Sequence, residues 1–209
     1  IRALRPNGGA RVLGAHNSLR LLAGWRAHVA GRGLKAGSKV RVYVDPPLRT
    51  RAGRTALLGQ RTRNVPIGTF TVDARGHFSG IARLSTATLA GGHVLQIVGV
   101  TRGGKLMSLS LGMTVNPRLT ITQTARVHAG SRDRLEMSGR AIGLPAGAAL
   151  ASWLRFRGQD DFLKGKGRIR VRADGTFRWV RQVRVHRALT TYFTWHHSRT
   201  SKVHWPILA

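Results

Sequence analysis

The sequence contains no cysteine among its 209 residues. A chain without thiols forms neither a disulfide framework nor a zinc–thiolate site, and it offers no cysteine nucleophile. Its stability must therefore come from buried apolar side chains and backbone hydrogen bonds. Hydrophobic residues make up 42% of the chain, which is enough for packed cores and argues against a disordered basic tail.

Acidic residues are also scarce. Seven aspartates and glutamates face 36 lysines and arginines, which gives a formal net charge of +29. An excess of one sign this large repels itself and predicts a polyanionic partner. Thirty of the cations are arginines, whose planar guanidinium binds phosphate or carboxylate through two parallel hydrogen bonds. A GC-rich genome would also favour arginine over lysine, but it would not explain the shortage of acids.

Long apolar runs are missing, and no segment combines a helical period with helix caps. No run approaches the roughly 18 residues that a membrane span needs, so the sequence predicts no membrane span. Short segments instead alternate apolar and polar residues, as at Val40, Val42 and Val44, and 26 glycines punctuate the chain. This pattern predicts half-buried strands joined by tight turns, and therefore an all-β protein.

One pattern occurs twice along the chain. VAGRGLKAGSKVRVYV followed by FTVDARGHFSGIARL in the first half matches MSGRAIGLPAGAALASWL followed by IRVRADGTFRWVRQV in the second. The repeat length of about 100 residues is that of one β-sandwich. The boundary between the two repeats is predicted at Asn116–Pro117, with domain 1 at residues 29–117 and domain 2 at residues 118–209. Residues 1–28 lie outside the repeat and are predicted to be an N-terminal extension or first strands.

These motifs, together with AGGHVLQIVGVTRGGKLMSLSLGMTV, resemble the immunoglobulin-like repeats of actinobacterial secreted and cell-surface proteins. The resemblance implies two tandem antiparallel immunoglobulin-like β-sandwich domains and a secreted or cell-surface location. It also implies adhesion, spacing or wall association rather than catalysis. The strongly basic charge departs from such repeats, which are usually neutral or acidic, and it argues against a passive stalk.

The apolar face of the strands should form the cores, so these side chains are predicted to point inward: Val40, Val42, Phe78, Trp153, Val171 and Phe177. The segment Asp45–Pro66 is predicted to be an exposed loop, because it holds a Pro-Pro pair and RTRAGRT. The sequence also predicts a hairpin between residues 90–100 and 106–115.

Arg168, Arg170 and Arg172 alternate with Ile169 and Val171. Alternation on a strand places all three arginines on one side, roughly 6.6 Å apart, a spacing suited to a row of phosphates. These three are called the ladder below. The full set of predicted polyanion-binding residues is Arg49, Arg51, Arg54, Arg61, Arg63, Lys164, Lys166, Arg168, Arg170, Arg172, Arg178, Arg181, Arg184 and Arg187.

Aromatic residues crowd the second half, where core packing is their ordinary role. Trp179 and Trp195 are flanked by arginines and histidines, so they are the candidates for exposed rings that stack on a base or a sugar.

Catalytic and metal sites are not expected. Asp73 and Asp174 lie in the repeated turns, where a carboxylate ordinarily accepts backbone hydrogen bonds. Adjacent histidines such as His196 and His197 cannot both bind one metal from a regular strand. The sequence therefore predicts a protein that is not an enzyme, with no cofactor and no metal.

Two function classes remain. The first is a non-catalytic extracellular protein that coats or adheres to an anionic polymer. Extracellular DNA is favoured over a phosphate-rich cell-wall polymer, because dense charge on two folded domains suits a duplex. The second is a homo-oligomeric subunit of a surface filament or layer, with residues 1–28 donating a strand to a neighbour.

Overall fold

The computed structural model describes residues 2–4, 10–12, 19–45, 48–49, 55–56, 66–129, 132–184 and 188–206. Every regular element among these residues is a β-strand, so the predicted all-β class is confirmed. The chain divides into two compact units, residues 1–116 and 117–209.

Unit 1 contains two sheets. One has the strand order β2-β1-β4-β9 and the other β3-β11-β10-β5-β8, and a short β6-β7 pair lies apart from both. Strand β3 pairs in parallel with β11, whereas the other pairings are antiparallel. The strands are β1 (Arg2–Leu4), β2 (Ala10–Val12), β3 (Leu19–Leu22), β4 (Arg26–Arg32), β5 (Lys39–Val44), β6 (Leu48–Arg49), β7 (Thr55–Ala56), β8 (Gly68–Thr71), β9 (His77–Arg83), β10 (Gly91–Val100) and β11 (Leu106–Asn116).

Unit 2 also forms a two-sheet sandwich. Strands β12-β13-β17 form one sheet, and β15-β14-β18-β19 form the other, with β16 on β14 and β20 on β18. This split of strands is that of an immunoglobulin-like sandwich. The strands are β12 (Arg118–Ala129), β13 (Arg132–Ile142), β14 (Ala149–Phe156), β15 (Leu163–Lys164), β16 (Ile169–Arg170), β17 (Thr176–Val183), β18 (Leu189–Trp195), β19 (Ser198–Arg199) and β20 (Val203–Trp205).

The cores follow the predicted alternation in most places. Val40, Val42, Phe78, Val171 and Phe177 are all buried. In unit 2, aromatic rings join the two sheets. Phe193 of β18 meets Phe177 and Trp179 of β17 edge-on, with ring centroids 5.4 and 5.7 Å apart.

Trp153 is an exception, because it is only half-buried. Its neighbours on β14, Ser152 and Leu154, are buried and face the core. Since adjacent strand residues point to opposite faces, Trp153 lies on the outer face of the sheet. The prediction that it packs in the core is wrong.

The sequence repeat has a matching backbone repeat. In unit 1 the Gly37 amide donates to Val72 O and the Val72 amide to Ser38 O, at 3.0 and 2.9 Å. In unit 2 the corresponding bonds run from Gly147 to Val171 and from Val171 to Ala148, at 2.7 and 2.9 Å. Both glycines have positive φ, 74° and 82°, which explains why glycine occupies this turn twice.

Gly31 and Gly139 recur because a phenylalanine ring covers each one. Gly31 pairs across the sheet with Phe78, and Gly139 pairs with Phe177. A Cβ on Gly31 would lie 2.5 Å from the Phe78 ring, and one on Gly139 would lie 2.4 Å from the Phe177 ring. Each sandwich therefore uses a glycine to admit its buried aromatic side chain.

The hairpin predicted for residues 90–100 and 106–115 is confirmed, since β10 and β11 pair along their length. The predicted loop 45–66 contains the short β6-β7 pair, which the sequence did not indicate, and its other described residues are Asp45 and Pro66. Residues 19–22 form a strand within unit 1, where Leu19 and Leu21 are buried. In this structure the strand pairs with β11 of the same unit.

Candidate anion-binding surface

The ladder lies on and beside β16, at one edge of the β15-β14-β18-β19 sheet of unit 2. Strand β16 pairs with β14, with Ile169 opposite Leu150 and Arg170 opposite Ala149. Ile169 and Val171 are 6% and 2% exposed, whereas Arg168, Arg170 and Arg172 are all exposed. The two apolar side chains thus anchor the segment to the core, and they direct the three guanidinium groups into solvent.

The ladder arginines form no ion pair with a carboxylate among the described residues, although Arg172 lies near Asp174, whose pKa is lowered by the Thr176 hydrogen bonds and then by the charge of Arg172. Arg170 donates one hydrogen bond to Gly147 O at 3.1 Å, which leaves most of its donors for solvent or a ligand. Lys164 and Lys166, on and beside β15, are also exposed. This edge of the sheet therefore presents five cations: Lys164, Lys166, Arg168, Arg170 and Arg172.

The corresponding edge of unit 1 carries different chemistry. By the Gly76–Gly175 alignment, Thr69, Thr71 and Asp73 stand where unit 2 has the ladder. The Asp73 carboxylate accepts the amides of Arg75 and His77 at 2.9 and 2.8 Å, and the His77 hydrogen bond lowers the pKa of Asp73. In unit 2 the same turn is held from a different position, because Asp174 accepts the Thr176 hydroxyl and amide, which lower its pKa.

Three of the five acids of unit 2 are already engaged inside the protein. Asp133 accepts hydrogen bonds from Arg126 and His128, and Glu136 contacts Arg134 and Arg178. Asp174 is held in its turn. Asp160 and Asp161 are exposed and form no ion pair with any described residue.

The arginines of β17 do not extend the ladder. Strand β17 belongs to the sheet opposite that of β16, so the outer faces of the two strands point in opposite directions. Arg178 Nε donates to Glu136 Oε1 at 2.6 Å, so Arg178 shares with Arg134 an ion-paired carboxylate, which the ladder arginines lack. The arginines of β17 therefore do not share one surface with the ladder, because the turn at 172–175 carries the chain from one sheet to the other.

Arg181 differs again from Arg178. It is half-buried on the inner side of β17, and its guanidinium reaches toward Gly165, where an added Cβ would lie 3.1 Å from Nη1. Arg184 is exposed just beyond the strand. Arg187 lies outside the described residues, as do Arg51, Arg54, Arg61 and Arg63; of Arg49 only the backbone is described.

The two tryptophans predicted to stack on a ligand have different environments. Trp179 is 6% exposed and packs against Phe193, so it is a core residue and the prediction of an exposed ring is wrong. Trp195 is half-buried, and its ring meets the edge of His196 at 4.4 Å. Trp179 is buried because of its position on β17, where it alternates in phase with Phe177 and Val183, and all three side chains face the core.

Sequence reasoning missed a group of aromatic side chains on the outer face of the same sheet as the ladder. Trp153 and Tyr192 are paired across β14 and β18, and their rings lie parallel within 8° with centroids 6.1 Å apart. The edge of Phe162 meets Tyr192 at 4.9 Å. The buried positions of Leu150 and Leu154 set the phase of β14, and that phase could have placed Trp153 outside.

Other ligand chemistry finds little support among the described residues. They contain no group of three or more histidine, aspartate or glutamate side chains placed to hold a metal ion. They also contain no helix long and apolar enough to cross a membrane. A cleft of about 500 Å³ in unit 2 is lined by Arg155, Arg157 and His204 together with mainly apolar groups.

No protein-family model matches the chain, and no curated protein matches it. Among solved structures, it is similar to a tetra-tandem repeat in the extending region of a large adhesion protein, at 12% identity and a TM-score of 0.35. That match covers 90% of this chain and 48% of the other, so the chain spans about half the length of the adhesion repeat. It is also similar to bovine butyrophilin, at 12% identity, with 94% and 97% of the two chains covered and a TM-score of 0.45.

Proposed function

We propose that this chain is a non-catalytic extracellular protein that adheres to or coats an anionic polymer, and that this polymer is DNA. The ladder is the observation that carries the proposal. Three arginines alternate with two buried residues, so they are held on one face without losing their exposure. A guanidinium group binds a phosphate oxygen pair in a geometry that lysine cannot reproduce.

The charge balance supports the same conclusion. Unit 2 holds 18 lysines and arginines against five acids, a net charge of +13. Only Arg126, Arg134 and Arg178 form ion pairs with a carboxylate among its described residues. A solvated protein surface ordinarily mixes the two signs, so this excess of unpaired cations favours an external polyanion.

DNA is favoured over a phosphate-rich cell-wall polymer because its phosphates are dense and regularly spaced along the helix. Contacts to phosphate do not report base identity, so binding should be independent of sequence. The predicted contacts in residues 49–63 would add to those of unit 2.

The ladder can be tested by its effect on salt dependence. Each phosphate neutralised on duplex DNA contributes about −0.9 to the slope of log affinity against log salt. Replacing Arg168, Arg170 and Arg172 together by glutamine should therefore make the slope shallower by about 2.7. Thermal stability should change little, because the three side chains are exposed and the one hydrogen bond lost, from Arg170 to Gly147 O, is also exposed.

A matched pair of single variants provides the control. Arg172→Gln should make the slope shallower by about 0.9. Arg178→Gln removes the same charge from a group already bound to Glu136, so its effect on the slope should be smaller. An unchanged slope in the triple variant would exclude the ladder as a phosphate-binding site.

A second candidate function, self-assembly, is favoured by the edge of β11. Residues 106–112 (LMSLSLG) carry no charge, and on the side away from β10 they have no strand partner among the described residues. Leu106 and Leu109 are 77% and 48% exposed. An uncharged edge of this kind can pair with a strand of another chain, and it is unusual in so basic a protein.

A further inference from the structure

We infer that the outer face of the β14–β18 sheet is a stacking site for the bases of single-stranded nucleic acid. This inference rests on the proposed function, because it assigns the polyanion class that one face of unit 2 would select. The site consists of Trp153, Tyr192 and Phe162 with the cations around them, and it is called the aromatic face below.

The two central rings are held in fixed positions. Trp153 and Tyr192 are direct cross-strand partners, so their spacing is set by the sheet. Trp153 Nε1 donates to Thr194 Oγ1 at 2.9 Å, which fixes the orientation of the indole. The two planes differ by only 8° and the rings are stacked on one another, so a ligand base would lie parallel against an outer side of this pair.

Cations surround these rings. Lys164 is the cross-strand partner of Trp153 on β15, on the side opposite Tyr192. Arg155 Cζ and Lys202 Nζ lie 4.8 and 5.2 Å from the centre of the Phe162 ring. None of these three cations forms an ion pair with a described carboxylate. Asp160 and Asp161 are the acids nearest to Phe162 in sequence, and they would weaken anion binding at that end.

Small residues connect the aromatic face with the ladder. Ala149 lies opposite Arg170, and Ala151 lies between Ala149 and Trp153 on the same side of β14. Thr194 is the cross-strand partner of Ala151. The outer face thus runs from the ladder, across short side chains, to parallel aromatic rings with cations at the edges.

This combination fits a single strand better than a duplex. Proteins that bind single strands combine a cationic groove for the backbone with aromatic rings on which bases stack. Each stacked base increases the affinity by ~5- to 150-fold. In a duplex the faces of the bases are already stacked on one another. The aromatic face could then contribute only through its charges, whereas the ladder would serve both forms.

The test uses the full chain and two ligands of equal charge, an oligothymidine of about 12 nucleotides and an abasic deoxyribose-phosphate oligomer of the same length. Binding is followed by anisotropy of a terminal dye. The unmodified protein should bind oligothymidine at least about 5-fold more tightly than the abasic oligomer. Trp153→Leu and Tyr192→Leu should each reduce this preference without changing affinity for a short duplex.

Trp25→Leu is the matched control, because Trp25 is also half-buried but lies in unit 1, outside the aromatic face. It should keep the preference for oligothymidine. Circular dichroism and melting temperature identify any variant that fails to fold, and Tyr192→Phe, which retains the ring, should restore the preference lost in Tyr192→Leu.

Equal binding of the two oligomers by the unmodified protein would overturn the inference. Retention of the preference in both leucine variants would overturn it too. So would a polysaccharide, uncharged or acidic, that displaces oligothymidine from the unmodified protein and loses its own binding in Trp153→Leu. Salt-dependent duplex binding with no preference between the oligomers would leave the proposed function standing and remove only this inference. Absence of binding to any polyanion would remove both.

Discussion

Replacing Asp133 by asparagine should destabilise unit 2 more than any surface substitution, because Asp133 balances a covered arginine. The Asp133 and Arg126 side chains are 2% and 5% exposed, and they form an ion pair. Arg126 Nε donates to Asp133 Oδ2 at 2.9 Å, and His128 Nδ1 lies 2.8 Å from Oδ1. Arg126 also donates to the carbonyl of Pro206, so the cluster joins the β12-β13 hairpin to the end of the chain.

The magnitude follows from what the substitution leaves behind. Removing one partner of a buried pair costs about 3–5 kcal/mol, because the remaining charge is buried without compensation. We expect the lower end, about 3 kcal/mol, because the His128 side chain is 49% exposed and lets water approach. For a unit of about 93 residues this corresponds to a decrease in melting temperature of roughly 12–24 °C.

Urea and thermal unfolding of the full chain, followed by tryptophan fluorescence, would measure this change. Four of the five tryptophans lie in unit 2, so the signal reports mainly on that unit. Asp160→Asn is the control, and it should stay within about 0.5 kcal/mol because Asp160 is exposed. A loss below about 1 kcal/mol for Asp133→Asn would refute the reasoning, since that is the range of exposed ion pairs.

Acid should act on the same cluster. The hydrogen bond with His128, then Arg126, lowers the pKa of Asp133 in the folded protein below its ordinary value of 3.8. A lowered folded pKa contributes stability above the unfolded pKa, and this contribution is lost as the pH falls through the folded value. Unfolding free energy should therefore fall below about pH 4, and it should fall less steeply in Asp133→Asn.

Two further predictions concern packing and assembly. Gly139→Ala should destabilise unit 2 by about 1–3 kcal/mol in urea unfolding, because the added Cβ would clash with Thr120 O and with the Phe177 ring. Gly92→Ala is the control, and it should change stability little because no atom lies within 4 Å of the added Cβ. If the β11 edge pairs with another chain, Leu109→Lys should reduce self-association measured by sedimentation velocity. Ser79→Lys, on the exposed surface of β9, is the control and should leave self-association unchanged. Equal self-association of the two variants would count against pairing through the β11 edge.

The fold could be predicted from the sequence because its signals are local. Alternation gave the strands around Val40 and Val171, and the recurring glycines marked the same turn and the same covered phenylalanine in both units. These features depend on a few neighbouring residues, so they can be identified without knowledge of the tertiary structure.

The candidate site was harder to predict, because it depends on which sheet each strand joins. The arginines of β16 and β17 are close in sequence but belong to opposite sheets. Trp179 was assigned to the wrong face because its basic neighbours were given more weight than the phase set by Phe177. Trp153 was assigned to the core because that is the ordinary place of an aromatic side chain, whereas buried Leu150 and Leu154 set the opposite phase. The pairing of Trp153 with Tyr192 joins residues 39 positions apart, which no local pattern indicates.

The most direct test of the central claim is the salt dependence of duplex DNA binding by the full chain. The proposed contacts of the ladder and of residues 49–63 neutralise some 6 to 10 phosphates, so the log–log slope should be about −5 to −9 between about 50 and 200 mM salt. Two duplexes of unrelated sequence should give the same slope and similar affinities. A flat salt dependence, or binding to only one of the two sequences, would contradict the electrostatic account.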